Sequence, residues 1–132
     1  IVKMSEEELE FVTRESDISK GVEKIRNEYN IKLVVITMGK KGSMAFYRDC
    51  VVKKEAFLLQ NTIETTGAGD TFFGCILNSI LELGIDSLDE SLLGEMLIFA
   101  NAAAALITTK RGALCVMPRK EEILKLIHPI IS

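Results

Sequence analysis

The run Ile31-Lys32-Leu33-Val34-Val35-Ile36-Thr37 is almost wholly apolar and rich in β-branched residues. That pattern predicts a strand buried on both faces. Before it, Ser5-Glu6-Glu7-Glu8 fits a capping box, with Ser5 as the cap and Glu8 reaching back to the Ser5 N–H. A short helix carrying Leu9, Phe11 and Val12 should follow. Ser16 and Asp17 can open a second helix through Tyr29, with Ile18, Val22 and Ile25 at helical spacing and Asn30 closing it. After the strand, Gly39-Lys40-Lys41-Gly42 predicts a tight turn, and Ser43 to Arg48 should return antiparallel. Cys50 to Val52 and Ala56 to Leu59 read as further short strand pieces.

The second half changes period. Gln60 to Thr66 is polar and predicts a loop. A long helix should run from Ala68 to Leu83, with Gly84 at its C′ position. Asp86 or Ser87 is the expected cap of the next helical stretch. A last long helix, about Ser91 to Thr108, is rich in alanine, which permits close packing. Lys110-Arg111-Gly112-Ala113 predicts a loop. Pro118 precedes a terminal amphipathic helix through Ile127, with Pro129 near its end. The start, Ile1-Val2-Lys3-Met4, reads like a strand entered part-way, so the chain is expected to belong to a longer protein. The order of elements suits one α/β unit without internal repeats.

Composition narrows the class. The chain has 132 residues, 48% hydrophobic and 27% charged, with a net charge of -3. This is ordinary for a globular domain with one core. The charge argues against nucleic acid or an anionic membrane as partner, since both select basic surfaces. No apolar run in the sequence reads as membrane-spanning and no signal peptide is visible. Cys50, Cys75 and Cys115 are far apart and odd in number, which suggests free thiols in a reducing cytosol and a cytoplasmic location. His128 is the only histidine, so a Ser-His-Asp triad is not expected.

Two stretches carry candidate chemistry. Gly67-Ala68-Gly69-Asp70 opens a helix, where free N–H groups and the positive dipole end attract anions. The glycines allow close approach of a phosphate. Donors fixed there would stabilise charge on a moving phosphoryl group, and Asp70 could take the proton of an attacking hydroxyl. Asp70 could equally do no more than complement the helix dipole. The tetrapeptide alone supports both readings. Thr37-Met38-Gly39-Lys40-Lys41-Gly42 follows the best strand, at the end where α/β sheets bind ligands. Lys40 or Lys41 could meet phosphate there, or the stretch could be a plain hairpin turn. No GxxxxGK[ST] run exists, which excludes a P-loop NTPase on sequence, and no GxGxxG follows a strand.

Taken in order, Ser5 to Glu8, Thr37 to Gly42, Glu64 to Asp70, Ala100-Asn101-Ala102-Ala103 and Thr109 to Ala113 resemble the ribokinase/PfkB carbohydrate kinase family. Within it, the likeness is greatest to bacterial fructokinases, and it covers essentially the whole chain. The resemblance implies the C-terminal part of a ribokinase-like three-layer α/β/α fold. It implies transfer of phosphate from ATP to a sugar hydroxyl, with Mg2+ and a monovalent cation such as K+. Asp70 then matches the catalytic base, and Gly67, Ala68 and Gly69 the anion hole. Thr37, Gly39, Lys40 and Gly42 match a nucleotide-binding turn, joined by Gly69, and Asn101 matches a position beside adenine or ribose. Glu8 matches the acid of an Asn-x-x-Glu motif linked to magnesium and phosphate. Ser5 stands here in place of the Asn, and the capping box explains the Ser5–Glu8 pair as well. Glu64, Thr66, Ile107, Lys110, Gly112 and Val116 match the surroundings of the monovalent cation, largely through backbone carbonyls. Lys110 and Arg111 also suit solvated charges at a helix end.

Family members are much longer, and most of their sugar-binding residues and their lid lie outside the part matched here. The expectation is that residues 1–132 alone have little kinase activity. An exposed sheet edge and apolar surface would favour self-association, for instance a homodimer. Fructose is the expected substrate, giving fructose 6-phosphate. 2-Keto-3-deoxygluconate, ribose and nucleosides stay open, as do a non-catalytic nucleotide-binding module and an interaction domain without a ligand.

Overall fold

The computed structural model describes residues 1–57, 67–108 and 120–131. The elements run β1 (Val2–Ser5), α1 (Glu6–Thr13), α2 (Ile18–Tyr29), β2 (Leu33–Thr37), β3 (Ser43–Tyr47), β4 (Cys50–Lys54), α3 (Ala68–Leu83), α4 (Glu90–Ile107) and α5 (Lys120–Ile131). Their sheet order is β1-β2-β3-β4. β1 runs parallel to β2, with Ser5 opposite Thr37. β2–β3 and β3–β4 are antiparallel.

Alternation along β2 creates the two cores. Val34 and Ile36 point to one face, where Leu9, Val22, Ile25 and Phe46 from α1, α2 and β3 complete a cluster. Leu33 and Val35 point to the other, against Phe72, Ile76, Leu93 and Leu97 of α3 and α4. Register keeps the faces consistent: Phe46 lies opposite Val34, and Ala45 opposite Val35. Each fully buried Val, Leu or Ile contributes roughly 1.5–3 kcal/mol, so β2 is the keel of the domain. Helices lie on both faces of the sheet, a three-layer α/β/α arrangement.

Several expectations shift by a residue or more. In α1 the buried residues are Leu9 and Thr13, whereas Phe11 is 86% exposed and Val12 53% exposed. Four-residue spacing puts Leu9 and Thr13 on one side, and the Thr13 hydroxyl donates back to the Leu9 carbonyl at 2.7 Å. The cap of α4 is Asp89, whose carboxylate accepts from the Leu92 N–H at 2.8 Å. Asp86 and Ser87 are instead absorbed into a 3-10 turn, Ile85–Ser87. Ala56 and Phe57 lie beyond β4 and are not in a strand, while the rest of that expected piece lies outside the described residues. α5 continues through Pro129 to Ile131. α4 also corrects the reading of apolar runs: it is long and apolar enough to cross a membrane, by length and composition only. Here Leu93, Met96, Leu97 and Ala100 to Ala103 are buried instead against the sheet and the neighbouring helices.

Candidate functional site

α3 starts as its sequence requires. Gly67 caps it at φ 86°, a left-handed conformation that strains residues with a Cβ. The first intrahelical bond runs from the Thr71 N–H to the Gly67 carbonyl at 2.9 Å. The N–H groups of Ala68, Gly69 and Asp70 precede it, so they belong to the helix's unsatisfied donors. Asp70 sits in the first turn and is exposed. Donors and an accessible carboxylate thus occupy the same turn. Buried Phe72 and Ile76 anchor that turn to the core.

The turn after β2 is held from two sides. The Met38 N–H donates to the Gly42 carbonyl at 2.8 Å, and the Gly42 N–H to the Gly39 carbonyl at 3.1 Å. Gly39, Lys40 and Lys41 form an exposed 3-10 turn. The two glycines differ. Gly39 has φ +57°, and among the described residues nothing stands within 4 Å of where a Cβ would be. Gly42 is buried at φ +100°, and a Cβ there would meet the Lys54 carbonyl oxygen at 2.0 Å. Among the described residues nothing covers the first, and the second is packed onto the end of β4.

Asn101 is 7% exposed in the middle of α4. Its Oδ1 accepts from the Ser43 hydroxyl at 2.9 Å. Its Nδ2 donates to the Glu55 carbonyl at 3.1 Å and the Lys54 carbonyl at 3.4 Å. The amide therefore ties the residue after Gly42 to the end of β4. It braces the glycine turn from behind. Asn101→Ala should cost about 1–3 kcal/mol, because it strands a buried hydroxyl and two carbonyls. Thermal unfolding checks this, and a melting temperature equal to wild type would contradict it. Ser43, fully buried, was not a candidate in the sequence, where a lone serine at a strand start gives no signal.

Glu8 closes the capping box. The Glu8 N–H donates to Ser5 Oγ at 3.1 Å, and the Ser5 N–H donates to Glu8 Oε1 at 2.9 Å. These bonds from Ser5 hold the Glu8 carboxyl below its ordinary value of 4.5, with Lys3 helping by charge. A depressed acid stabilises the fold above its unfolded pKa and loses that contribution as pH falls through the folded one. The melting-temperature gap between wild type and Glu8→Ala should therefore be full at neutral pH. It should close as pH drops below about 4.5. A gap that is constant with pH would contradict the capping role.

The parallel register sets Ser5 beside Thr37, so the capping box and the glycine turn leave the same end of the sheet. Gly69 reaches that region too: a Cβ on it would stand 3.1 Å from the Lys3 ammonium of β1. Ile107 is fully buried at the end of α4. Glu64, Thr66, Lys110, Gly112 and Val116 lie outside the described residues. Among the described residues no group of three or more His, Cys, Asp or Glu could hold a metal. The donor set suits a cation that arrives with phosphates and takes one or two carboxylates, as Mg2+ does, rather than an all-protein cage. Cys50 and Cys75 are free thiols. Burial pushes the Cys75 thiol up, which makes it a poor nucleophile.

Comparison with known proteins bears on this arrangement. Residues 1–120 match the family described as pfkB family carbohydrate kinase. The chain is 39% identical over 128 residues to a fructokinase-1 from Zea mays, covering 97% of this chain and 39% of that protein. It superposes on a fructokinase from Vibrio cholerae O395, crystallised with fructose, ADP and calcium ion, with TM-score 0.81 and 31% identity. That match covers 94% of this chain and 40% of the other. A fructokinase from Xylella fastidiosa with bound ATP gives TM-score 0.85 and 26% identity, over 99% of this chain and 43% of the other. The chain thus spans about two fifths of the length of these relatives.

Proposed function

Because the chain belongs to the pfkB family of carbohydrate kinases, we propose that it forms the phosphoryl-transfer half of an ATP-dependent sugar kinase. The observation that carries this reading is the first turn of α3. It presents the N–H groups of Ala68, Gly69 and Asp70, which have no partner within the helix, next to an accessible carboxylate. Phosphoryl transfer needs little covalent chemistry from the protein, only positioning and charge stabilisation. In this reading the N–H groups receive the equatorial oxygens of the moving phosphoryl group. The Asp70 carboxylate takes the proton of the attacking sugar hydroxyl, and the bond to the ADP oxygen breaks as the new ester bond forms. Gly39 and Lys40 lie on the open side of the nucleotide turn, with Gly42 and Asn101 behind it. Mg2+ would neutralise phosphate charge when bound, with Glu8 as its described protein carboxylate. Ile107, Glu64, Thr66, Lys110, Gly112 and Val116 would surround a monovalent cation.

Fructose is the proposed acceptor, on the strength of the fructokinases among the relatives. The sugar pocket and lid are assigned to the part of the protein beyond residues 1–132, which would extend the sheet at β1. The enzyme is assigned to the cytoplasm, where its thiols stay reduced. A coupled assay of the full-length protein with ATP tests the acceptor. Fructose should give the highest kcat/KM in a panel with ribose, 2-keto-3-deoxygluconate and a nucleoside. A tenfold preference for one of the others would reassign the substrate.

A further inference from the structure

This inference rests on the phosphoryl-transfer reading and adds a positioning residue to it. Ser43 opens β3. Alternation along the strand puts it on the same face as Ala45 and Tyr47, the face that packs against α3 and α4. Ser43 is fully buried there. Among the described residues of α4, Asn101 is the only buried polar side chain. One hydroxyl and one amide, from two elements, thus share an apolar interior, and the Ser43 hydroxyl donates to Asn101 Oδ1 at 2.9 Å.

The direction of that bond decides what the amide can do. A primary amide has two N–H donors and one carbonyl oxygen. With Oδ1 held toward Ser43, Nδ2 faces the Glu55 carbonyl at 3.1 Å and the Lys54 carbonyl at 3.4 Å. Turned over, the amide would set oxygen against oxygen at the end of β4. The amide hydrogens are engaged by the chain itself, so Asn101 acts on a ligand through the segments it joins. Gly42 packs against the same residues: a Cβ on it would stand 2.0 Å from the Lys54 carbonyl oxygen and 2.8 Å from Glu55 Cα. An apolar pair of the same shape would hold the fold about as well. A fully bonded polar pair adds one fixed geometry.

We propose that Ser43 is a positioning residue for the nucleotide. Its hydroxyl orients the Asn101 amide, and the amide holds the Lys54 and Glu55 carbonyls. These in turn fix the stretch from Gly39 to Gly42 in the shape that receives the nucleoside triphosphate. Fully buried, Ser43 acts only through these contacts. Removing the hydroxyl lowers the fraction of molecules with a binding-competent turn, which weakens nucleotide binding by the same factor. Saturating nucleotide restores the turn, so the transfer step is unchanged.

Steady-state kinetics of the full-length protein, with ATP and fructose varied separately, tests the assignment. The variants are Ser43→Ala, Ser43→Cys, Asn101→Ala and the Ser43→Ala/Asn101→Ala pair. Ser43→Ala should raise KM for ATP about 5- to 20-fold, the worth of a buried hydrogen bond. kcat at saturating ATP and KM for fructose should stay within about twofold of wild type. Ser43→Cys keeps a weaker donor and should raise KM for ATP by about three- to fivefold. The double variant should show the KM for ATP of Asn101→Ala alone, since the hydroxyl acts through the amide. A KM for ATP within about twofold of wild type in either folded Ser43 variant would overturn the assignment. So would parallel changes in kcat and both KM values, or effects that multiply in the double variant, the marks of general loosening. A wild-type protein that bound no ATP in calorimetry would instead remove the phosphoryl-transfer reading itself.

Discussion

Asp70→Asn in the full-length protein is expected to lower kcat for sugar phosphorylation by about 10²–10⁴-fold, the range general bases contribute. That corresponds to roughly 3–5 kcal/mol of barrier. The substitution keeps the size and shape of the side chain and removes its ability to take a proton. ATP affinity should stay near the wild-type value, because the phosphate donors proposed at this turn are backbone N–H groups. Stability should fall by only about 0.3–1 kcal/mol, through loss of a negative charge at the helix N-terminus. Steady-state kinetics beside calorimetry separates the possibilities. A variant that binds ATP normally and turns over within a few fold of wild type would remove Asp70 from the chemistry. It would leave the dipole complement as the residue's only role.

Gly42→Ala is expected to be the most destabilising single substitution in the turn after β2. The new Cβ would lie 2.0 Å from the Lys54 carbonyl oxygen, 2.8 Å from Glu55 Cα and 2.9 Å from the Ala56 N. All three are backbone atoms, so no side chain can swing aside. The φ of +100° adds strain of its own. A loss above about 4 kcal/mol is expected, the class of effect reserved for forced backbone rearrangement. Gly39→Ala is the control: its φ of +57° costs about 1–2 kcal/mol, and the space beside it is open. Denaturant unfolding of both variants compares them directly. Similar losses for the two would mean that the turn moves freely and that β4 does not pin it.

The contrast between these glycines illustrates what the sequence can carry. Local signals were legible. β2 announced itself by an unbroken apolar run, and the Ser5–Glu8 box by capping chemistry. α3 was bounded by a glycine at each end, and both glycines take positive φ. These features depend on neighbours a few residues away. The missed features depend on contacts across the chain. Gly39 and Gly42 look alike in sequence, yet only Gly42 touches the end of β4. The bond between Ser43 and Asn101 spans 58 residues, and nothing local marks either partner. Lys3 and Gly69 meet only because β1 lies where the first turn of α3 arrives. Phe11 and Val12 lie on the expected helix, yet both are exposed. They are apolar and helical, but Leu9 and Thr13 occupy the face that α2 covers.

The site residues come from separate segments of the chain, and family resemblance supplied their order rather than their geometry. The fold then showed how two of them serve each other: Asn101 braces the turn that begins at Gly39, through Ser43 and the end of β4. In the proposed reading, the residue would support the nucleotide turn from behind.

The central claim is that the start of α3 moves a phosphoryl group from ATP to a sugar hydroxyl. Its most direct test quantifies both products of the full-length protein incubated with ATP and fructose. ADP and a phosphorylated sugar should accumulate in equal amounts, and in Asp70→Asn both should form more slowly by the same factor as kcat. ADP released without phosphorylated sugar, or ATP bound with no product at all, would contradict the account.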